Sequence, residues 1–103
     1  MAKLIPVEEF DLVIFGGTGD LAMRKLLPAL LHRDQDGQLT GDSRVIAIGR
    51  SALARHEYLT RVEESLHTNL AVGEFDEALW VRFKQRIHYV QAQASANHFI
   101  LRF

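Results

Sequence analysis

The chain has 103 residues, 48% of them apolar and 24% charged, with 12 Lys plus Arg against 13 Asp plus Glu for a formal charge of −1. Those figures fit a folded globular domain and exclude a disordered chain, which needs low hydrophobicity and high net charge. Without a basic surplus, electrostatic binding to nucleic acid is disfavoured. The absence of cysteine removes disulfides, thiolate zinc sites and a cysteine nucleophile.

No stretch approaches the ~18 apolar residues of a membrane span. Glu8, Glu9 and Asp11 fall where the apolar core of a signal peptide would lie. The expectation is a soluble, cytoplasmic protein with no membrane partner.

Residues 1–11 read as a short lead-in punctuated by Pro6. Leu12-Val13-Ile14-Phe15 is a continuous apolar run, β-branched and aromatic, which predicts a strand buried on both faces, as parallel sheets require. Gly16-Gly17-Thr18-Gly19 ends it. From Asp20 to about Arg33 the pattern turns helical, with Leu27, Leu30 and Leu31 on one side and Leu21 close to it. Pro28 is a misfit in that stretch. It predicts a kink near Arg24, or two shorter helices with Pro28 in the first turn of the second.

Residues 34–43 (DQDGQLTGDS) are polar and contain two glycines, so they predict a loop. Arg44-Val45-Ile46-Ala47-Ile48 is a second apolar strand closed by Gly49. Ser51 is placed to cap a helix over residues 52–70, whose apolar stripe is Leu59, Val62, Leu66 and Leu70. After Gly73, Asp76 reads as the cap of a shorter helix. Phe75 and Trp80 are spaced as a hydrophobic staple, with Leu79 and Phe83 facing inward. Residues 87–90 predict a third strand and residues 92–97 a loop, with Ser95 a cap for a helix starting at Phe99.

Strand, helix, strand, helix pair, strand is the order of an α/β fold with a parallel sheet and right-handed crossovers. It matches one βαβαβ half of a doubly wound, Rossmann-like fold, strand order 3-2-1, and 103 residues suit one such half better than two.

Gly17-Thr18-Gly19-Asp20-Leu21-Ala22 spells G-x-G-x-x-A between a predicted strand and a predicted helix, the context that gives the string its meaning. Gly17 permits the tight turn, Gly19 lets a pyrophosphate approach the backbone, and Ala22 lets the helix pack near the strand. The helix N-terminus adds free amides and a positive dipole end. Without a ligand, the same residues make a plain glycine-rich turn. A P-loop is excluded, because no G-x-x-x-x-G-K-[ST] occurs.

The end of the second strand separates the dinucleotides. An acid there bonds the ribose 2′-hydroxyl of NAD, whereas an arginine meets the 2′-phosphate of NADP. Here Gly49-Arg50-Ser51 follows the strand, and no acid does. Arg50 can pair with a phosphate, and Ser51 can add a hydroxyl and an amide. Otherwise Arg50 is a solvated side chain beside a simple cap. Arg50 lies 33 residues beyond Gly17, against a usual ~20, and the polar loop accounts for the excess. Arg24-Lys25 stands one turn past the glycines. Taken by position alone, Lys25 is an exposed helix charge or a group reaching back toward ligand.

The run FGGTGDLAMRKLLPALL, residues 15–31, resembles the N-terminal fingerprint of the glucose-6-phosphate dehydrogenase family. Gly16, Gly19, Asp20, Leu21, Ala22, Lys25 and Pro28 all match its G-x-x-G-D-L-A, basic residues ending in Lys, and helix-internal Pro. The resemblance extends over about residues 11–90 and weakens after Leu70. It implies an NADP-binding domain across residues 1–103, with Gly16, Gly17, Thr18, Gly19, Asp20 and Leu21 at the coenzyme pyrophosphate. It places Arg50 at the 2′-phosphate, beside the donors that Ser51 offers, and gives Lys25 a catalytic role at the bound sugar. The implied partner is glucose 6-phosphate, oxidised at C1 to 6-phosphogluconolactone at the entry to the pentose phosphate pathway. A homo-oligomer is compatible with it.

Two features depart from the family. Position 23 is Met where many members carry a basic residue. The family's substrate motif R-I-D-H-Y-L-G-K-E is missing, and with it the substrate domain. Arg86-Ile87-His88-Tyr89 mimics its opening without the Asp or the G-K-E, so His88 reads as a strand residue. The remaining histidines show no i, i+4 pair for a metal. The expectation is therefore the N-terminal coenzyme-binding part of an NADP-dependent dehydrogenase, inactive alone. Two alternatives stand beside it. A short-chain dehydrogenase or epimerase fragment lacks support, because Ala22 replaces the last Gly and no Tyr-x-x-x-Lys occurs. A non-catalytic nucleotide-binding or association module would use an exposed sheet edge.

Overall fold

The computed structural model describes residues 9–94 and 99–101. Strand β1 (Asp11–Phe15) pairs in parallel with β2 (Arg44–Gly49), and β2 in parallel with β3 (Ile87–Ala94). A fourth strand, β4 (Phe99–Leu101), runs antiparallel to β3, giving the order β1-β2-β3-β4. The three parallel strands stand in the expected 3-2-1 arrangement, and the fold is the Rossmann-like α/β half. Helices α1 (Leu27–Gln35), α2 (Arg55–Asn69) and α3 (Glu77–Lys84) complete it.

One face of the sheet carries the main core. Ile14, Val45, Ala47 and Ile87 meet Leu27, Leu30 and Leu31 of α1, Tyr58, Val62 and Leu66 of α2, and Trp80 and Phe83 of α3. Tyr58, Val62 and Leu66 recur every fourth residue, so they form one helical stripe. Ile46, Ile48, Val90 and Ala92 form a smaller cluster on the opposite face. Burial of both faces is therefore realised in β2, from Val45 to Gly49. In β1 it is not, because Val13 is 43% and Phe15 67% exposed. Among the described residues β1 stands at the edge of the sheet, beside β2.

Several local expectations are corrected. Phe99 does not open a helix. The register Ala92↔Leu101, Gln93↔Ile100 and Ala94↔Phe99 extends β3 past its predicted end and makes 99–101 a strand, because cross-strand hydrogen bonds outweigh local helical tendency. The proposed cap at Ser95 lies outside the described residues. Helix α2 starts at Arg55 rather than after Ser51: Ala54 is the last extended residue, and its N–H donates to Glu57 Oε1 at 3.0 Å. Leu21 is 66% exposed rather than part of the α1 stripe.

Asp34 belongs to α1 rather than to the following loop and is 2% exposed. Arg86 reaches it from just before β3, with Nε 3.2 Å from Asp34 Oδ1. The same guanidinium donates to the carbonyls of Leu39, Gly41 and Ser43 at 2.7–2.9 Å, which fastens the polar loop beneath the sheet. The cap at Asp76 is as expected, accepting from the amides of Ala78 at 2.9 Å and Leu79 at 3.3 Å.

Pro28 acts on the turn before it. Residues Ala22–Leu26 form a π-helical turn in which the Leu27 N–H donates to Ala22 O, five residues back. The next rung would need an N–H at position 28, and proline has none. Met23 O is left over and accepts a 2.8 Å hydrogen bond from Ser65 Oγ of α2. Both sequence readings of Pro28 hold a part of this: the distortion precedes it, and it occupies the first turn of α1.

Candidate functional site

The parallel register places Phe15 beside Ile48 and Gly49 beside Gln91, so the turns leaving β1 and β2 emerge side by side at the carboxyl ends of the strands. Ligands of open α/β sheets bind there. A cleft of about 370 Å³ lies between the turns, lined by Phe15, Gly16, Thr18, Gly19, Ile48, Gly49, Arg50, Ser51 and Ala92.

The glycines share the work differently from the motif reading. Gly16, not Gly17, takes the left-handed conformation, with φ +67°. Gly17 is buried, its N–H bonded to Ile48 O at 2.8 Å, and a Cβ there would stand 2.7 Å from Ala47 Cβ. Gly19 closes the turn by donating to Gly16 O at 2.9 Å. Beyond it the helix opens at Asp20, where first-turn amides lack intrahelical acceptors. Ala22 is 2% exposed, in line with its expected helix–strand packing role.

Of the residues singled out in the sequence, the cleft gathers Gly16, Thr18, Gly19, Arg50 and Ser51. Gly17 lies beneath it. Asp20 and Leu21 open the helix as exposed residues outside the lining, and Asp20 Oδ2 pairs with Arg24 at 3.2 Å. Lys25 is exposed on the π-helical turn, also outside the lining, with no hydrogen bond or ion pair to another described residue. The guanidinium of Arg50 is likewise exposed and without a partner among the described residues. Ser51, relieved of capping, is exposed beside it. The cleft thus offers an open backbone cradle at one end and an uncommitted cation at the other, a donor set for an extended, polyanionic ligand.

Sequence reasoning missed three residues behind this surface. Tyr58 of α2 is 0% exposed, and its hydroxyl donates to Gly17 O at 2.7 Å. Burial pushes this phenol well above its ordinary pKa, with the neighbouring Tyr89 adding to the shift, so it stays a donor. Tyr89 donates to Ser51 O at 2.7 Å, and Gln91 Nε2 to Arg50 O at 3.1 Å. The repeat of Tyr58 with Val62 and Leu66 was the available signal for the first. Nothing local marks the other two. His88 lies on β3 as expected, away from this cleft, against Arg44 and Arg55 at the other end of the sheet. No group of three or more potential metal ligands occurs among the described residues.

A family model described as "Glucose-6-phosphate dehydrogenase, NAD binding domain" matches residues 13–101. The glucose-6-phosphate 1-dehydrogenase of Rhizobium meliloti (strain 1021) is 47% identical over 96 residues, which cover 93% of this chain and 20% of that enzyme. The crystal structure of glucose-6-phosphate 1-dehydrogenase from Mycobacterium avium aligns with a TM-score of 0.74 at 27% identity, over 84% of this chain and 18% of that one. A glucose-6-phosphate dehydrogenase in complex with its substrate glucose-6-phosphate gives a TM-score of 0.69 at 29% identity, over 86% and 18%. This chain therefore spans about a fifth of the length of these relatives. The matched span takes in the glycine turn, the parallel strands and the Arg50–Ser51 turn, and the chain belongs to the family of glucose-6-phosphate dehydrogenase NAD-binding domains.

Proposed function

We propose that this chain is the coenzyme-binding part of an NADP-linked glucose-6-phosphate dehydrogenase. The observation that carries the reading is the convergence of the glycine turn and the Arg50–Ser51 turn on one cleft, with no carboxylate among the described residues of its lining. An NAD site places an acid at the end of the second strand to hold the ribose 2′-hydroxyl. Here that position offers a guanidinium with no partner among the described residues, which suits a 2′-phosphate instead.

In this reading the turn amides and the first turn of the following helix bind the pyrophosphate, and Gly19 keeps the backbone approachable. Arg50 pairs with the 2′-phosphate, and the Ser51 hydroxyl donates beside it. The coenzyme, when bound, supplies the hydride acceptor for C1 of glucose 6-phosphate. Lys25, exposed on the π-helical turn that follows the cradle, is the residue this reading assigns to the sugar.

Calorimetric titration with NADP and NAD tests the reading. NADP binds more tightly than NAD to the wild-type chain. In Arg50→Ala the NADP affinity falls by about 10- to 100-fold, the loss of one charge-assisted phosphate contact, and NAD binding barely changes. A folded chain that binds neither coenzyme, or an Arg50→Ala variant with the preference intact, overturns it.

A further inference from the structure

Two tyrosines lie directly under the two turns that form the cleft. The Tyr58 hydroxyl donates to Gly17 O and the Tyr89 hydroxyl to Ser51 O, each at 2.7 Å. The rings stack on one another, with centroids 4.8 Å apart and planes at 24°. One continuous tie therefore runs from the glycine turn, through two rings, to the turn that carries Arg50.

The backbone is shaped to admit it. A Cβ on Gly49 would stand 2.6 Å from the Tyr89 hydroxyl, and one on Gly17 would stand 3.2 Å from the Tyr58 hydroxyl. Each of these glycines thus leaves the room that a phenol needs to reach a turn carbonyl. Both hydroxyls donate to main chain, so the hold acts on the turns themselves whatever side chains they carry. Tyr58 is 0% exposed, and a buried phenol needs its one partner. Gly17 is gripped from both sides, since its N–H also bonds to Ile48 O at 2.8 Å.

We propose that Tyr58 and Tyr89 are positioning residues that hold the glycine turn and the Arg50–Ser51 turn in place, and that Tyr89, under the turn that carries Arg50, sets the discrimination between coenzymes with and without a 2′-phosphate. This rests on the coenzyme reading above. The two hydroxyls divide the task. Tyr58 holds the cradle for the pyrophosphate, which NADP and NAD share. Tyr89 holds the turn beside the 2′-phosphate, which only NADP carries. A purely structural role for Tyr89 in the core would weaken both coenzymes together.

The test is calorimetric titration of the full 103-residue chain, as wild type, Tyr58→Phe and Tyr89→Phe, with NADP and NAD; each substitution removes a hydroxyl and keeps the ring. In Tyr89→Phe the affinity for NADP falls about three- to tenfold, the effect of one net hydrogen bond, while NAD changes less than about twofold. In Tyr58→Phe both affinities fall by the same factor and their ratio holds. Gly49→Ala, whose Cβ displaces the Tyr89 hydroxyl, lowers the ratio as Tyr89→Phe does, and stands in if that variant fails to fold. An unchanged NADP-to-NAD ratio in Tyr89→Phe and Gly49→Ala overturns the tie and leaves the coenzyme reading standing. A wild-type chain that binds neither coenzyme overturns both.

Discussion

Arg86 shows how far a single side chain can govern a local structure here. Its guanidinium satisfies one buried carboxylate oxygen of Asp34 and three loop carbonyls, and is itself only 13% exposed. The second oxygen, Asp34 Oδ2, is buried without a hydrogen bond and faces Arg82 Nε at 3.7 Å. Removing Arg86 strands that charge, which costs far more than a surface pair. Arg86→Leu is therefore expected to lower the unfolding free energy by about 3–5 kcal/mol in urea denaturation. The sequence shows Asp34 as the first residue of a ten-residue stretch that reads as a polar loop, and its partner stands 52 positions away. No local pattern could pair them. His88 provides a second residue-scale test. Burial first, then the charges of Arg55 and Arg44, hold its imidazole below the ordinary value of 6.5, with Asp11 opposing. The unfolded chain thus binds this proton more readily than the folded one. The contribution is present above about pH 6.5 and lost as pH falls through the lowered folded value. Urea midpoints should rise between about pH 5 and pH 7 in the wild type, and less steeply in His88→Gln. The Arg44 hydrogen bond that lowers Asp11 acts in a separate, more acid window, around the ordinary carboxylate range.

At the scale of the element, the π-helical turn carries the strongest link between sequence and local geometry. Pro28 deletes one donor, the turn before it widens, and the spare Met23 carbonyl is met by Ser65 of α2. Ser65→Ala leaves that part-buried carbonyl unpaired and should cost about 1–2 kcal/mol. Pro28→Ala restores an N–H in reach of the ladder. In the double variant the Ser65→Ala penalty should shrink by at least about 0.5 kcal/mol, a coupling that a double-mutant cycle in urea reads directly. The location of the disturbance was legible, since proline inside a helical pattern has few outcomes. Its form was not, because the compensating hydroxyl comes from another helix. The start of α2 teaches a related lesson. Ser51 is a good cap by residue type, yet the chain stays extended to Ala54 and Glu57 closes the helix end instead. Ser51 is thereby left in the cleft.

On the scale of the whole molecule, the helices α1, α2 and α3 share one core against one face of the sheet, and the cleft opens at the strand ends. No helix among the described residues is long and apolar enough to cross a membrane. Val13, Leu21 and Leu26 are large apolar side chains left 38–66% exposed around β1 and the glycine turn. Oxidation of a sugar hydroxyl needs a general base within reach of the reacting centre. Among the described residues the lining holds no Asp, Glu or His, and Arg50 is its one titratable side chain. The 103 residues alone are therefore expected to bind coenzyme without reducing it. Steady formation of NADPH from glucose 6-phosphate by this chain, abolished in Lys25→Ala, would contradict that.

The sequence by itself determined the α/β class, the parallel strands and their order, the glycine turn and the cation at the end of β2. These rest on signals that act over a few residues: apolar runs, proline and glycine constraints, and helical periodicity. Tertiary structure alone decided which glycine bears the positive φ, that Phe99–Leu101 joins the sheet, that Asp34 is buried and that two stacked tyrosines brace the cleft. Each of those depends on groups that meet only when strands, helices and turns distant in the chain are packed together. Distances and partners of that kind are set by the assembled core and not by any window of the chain.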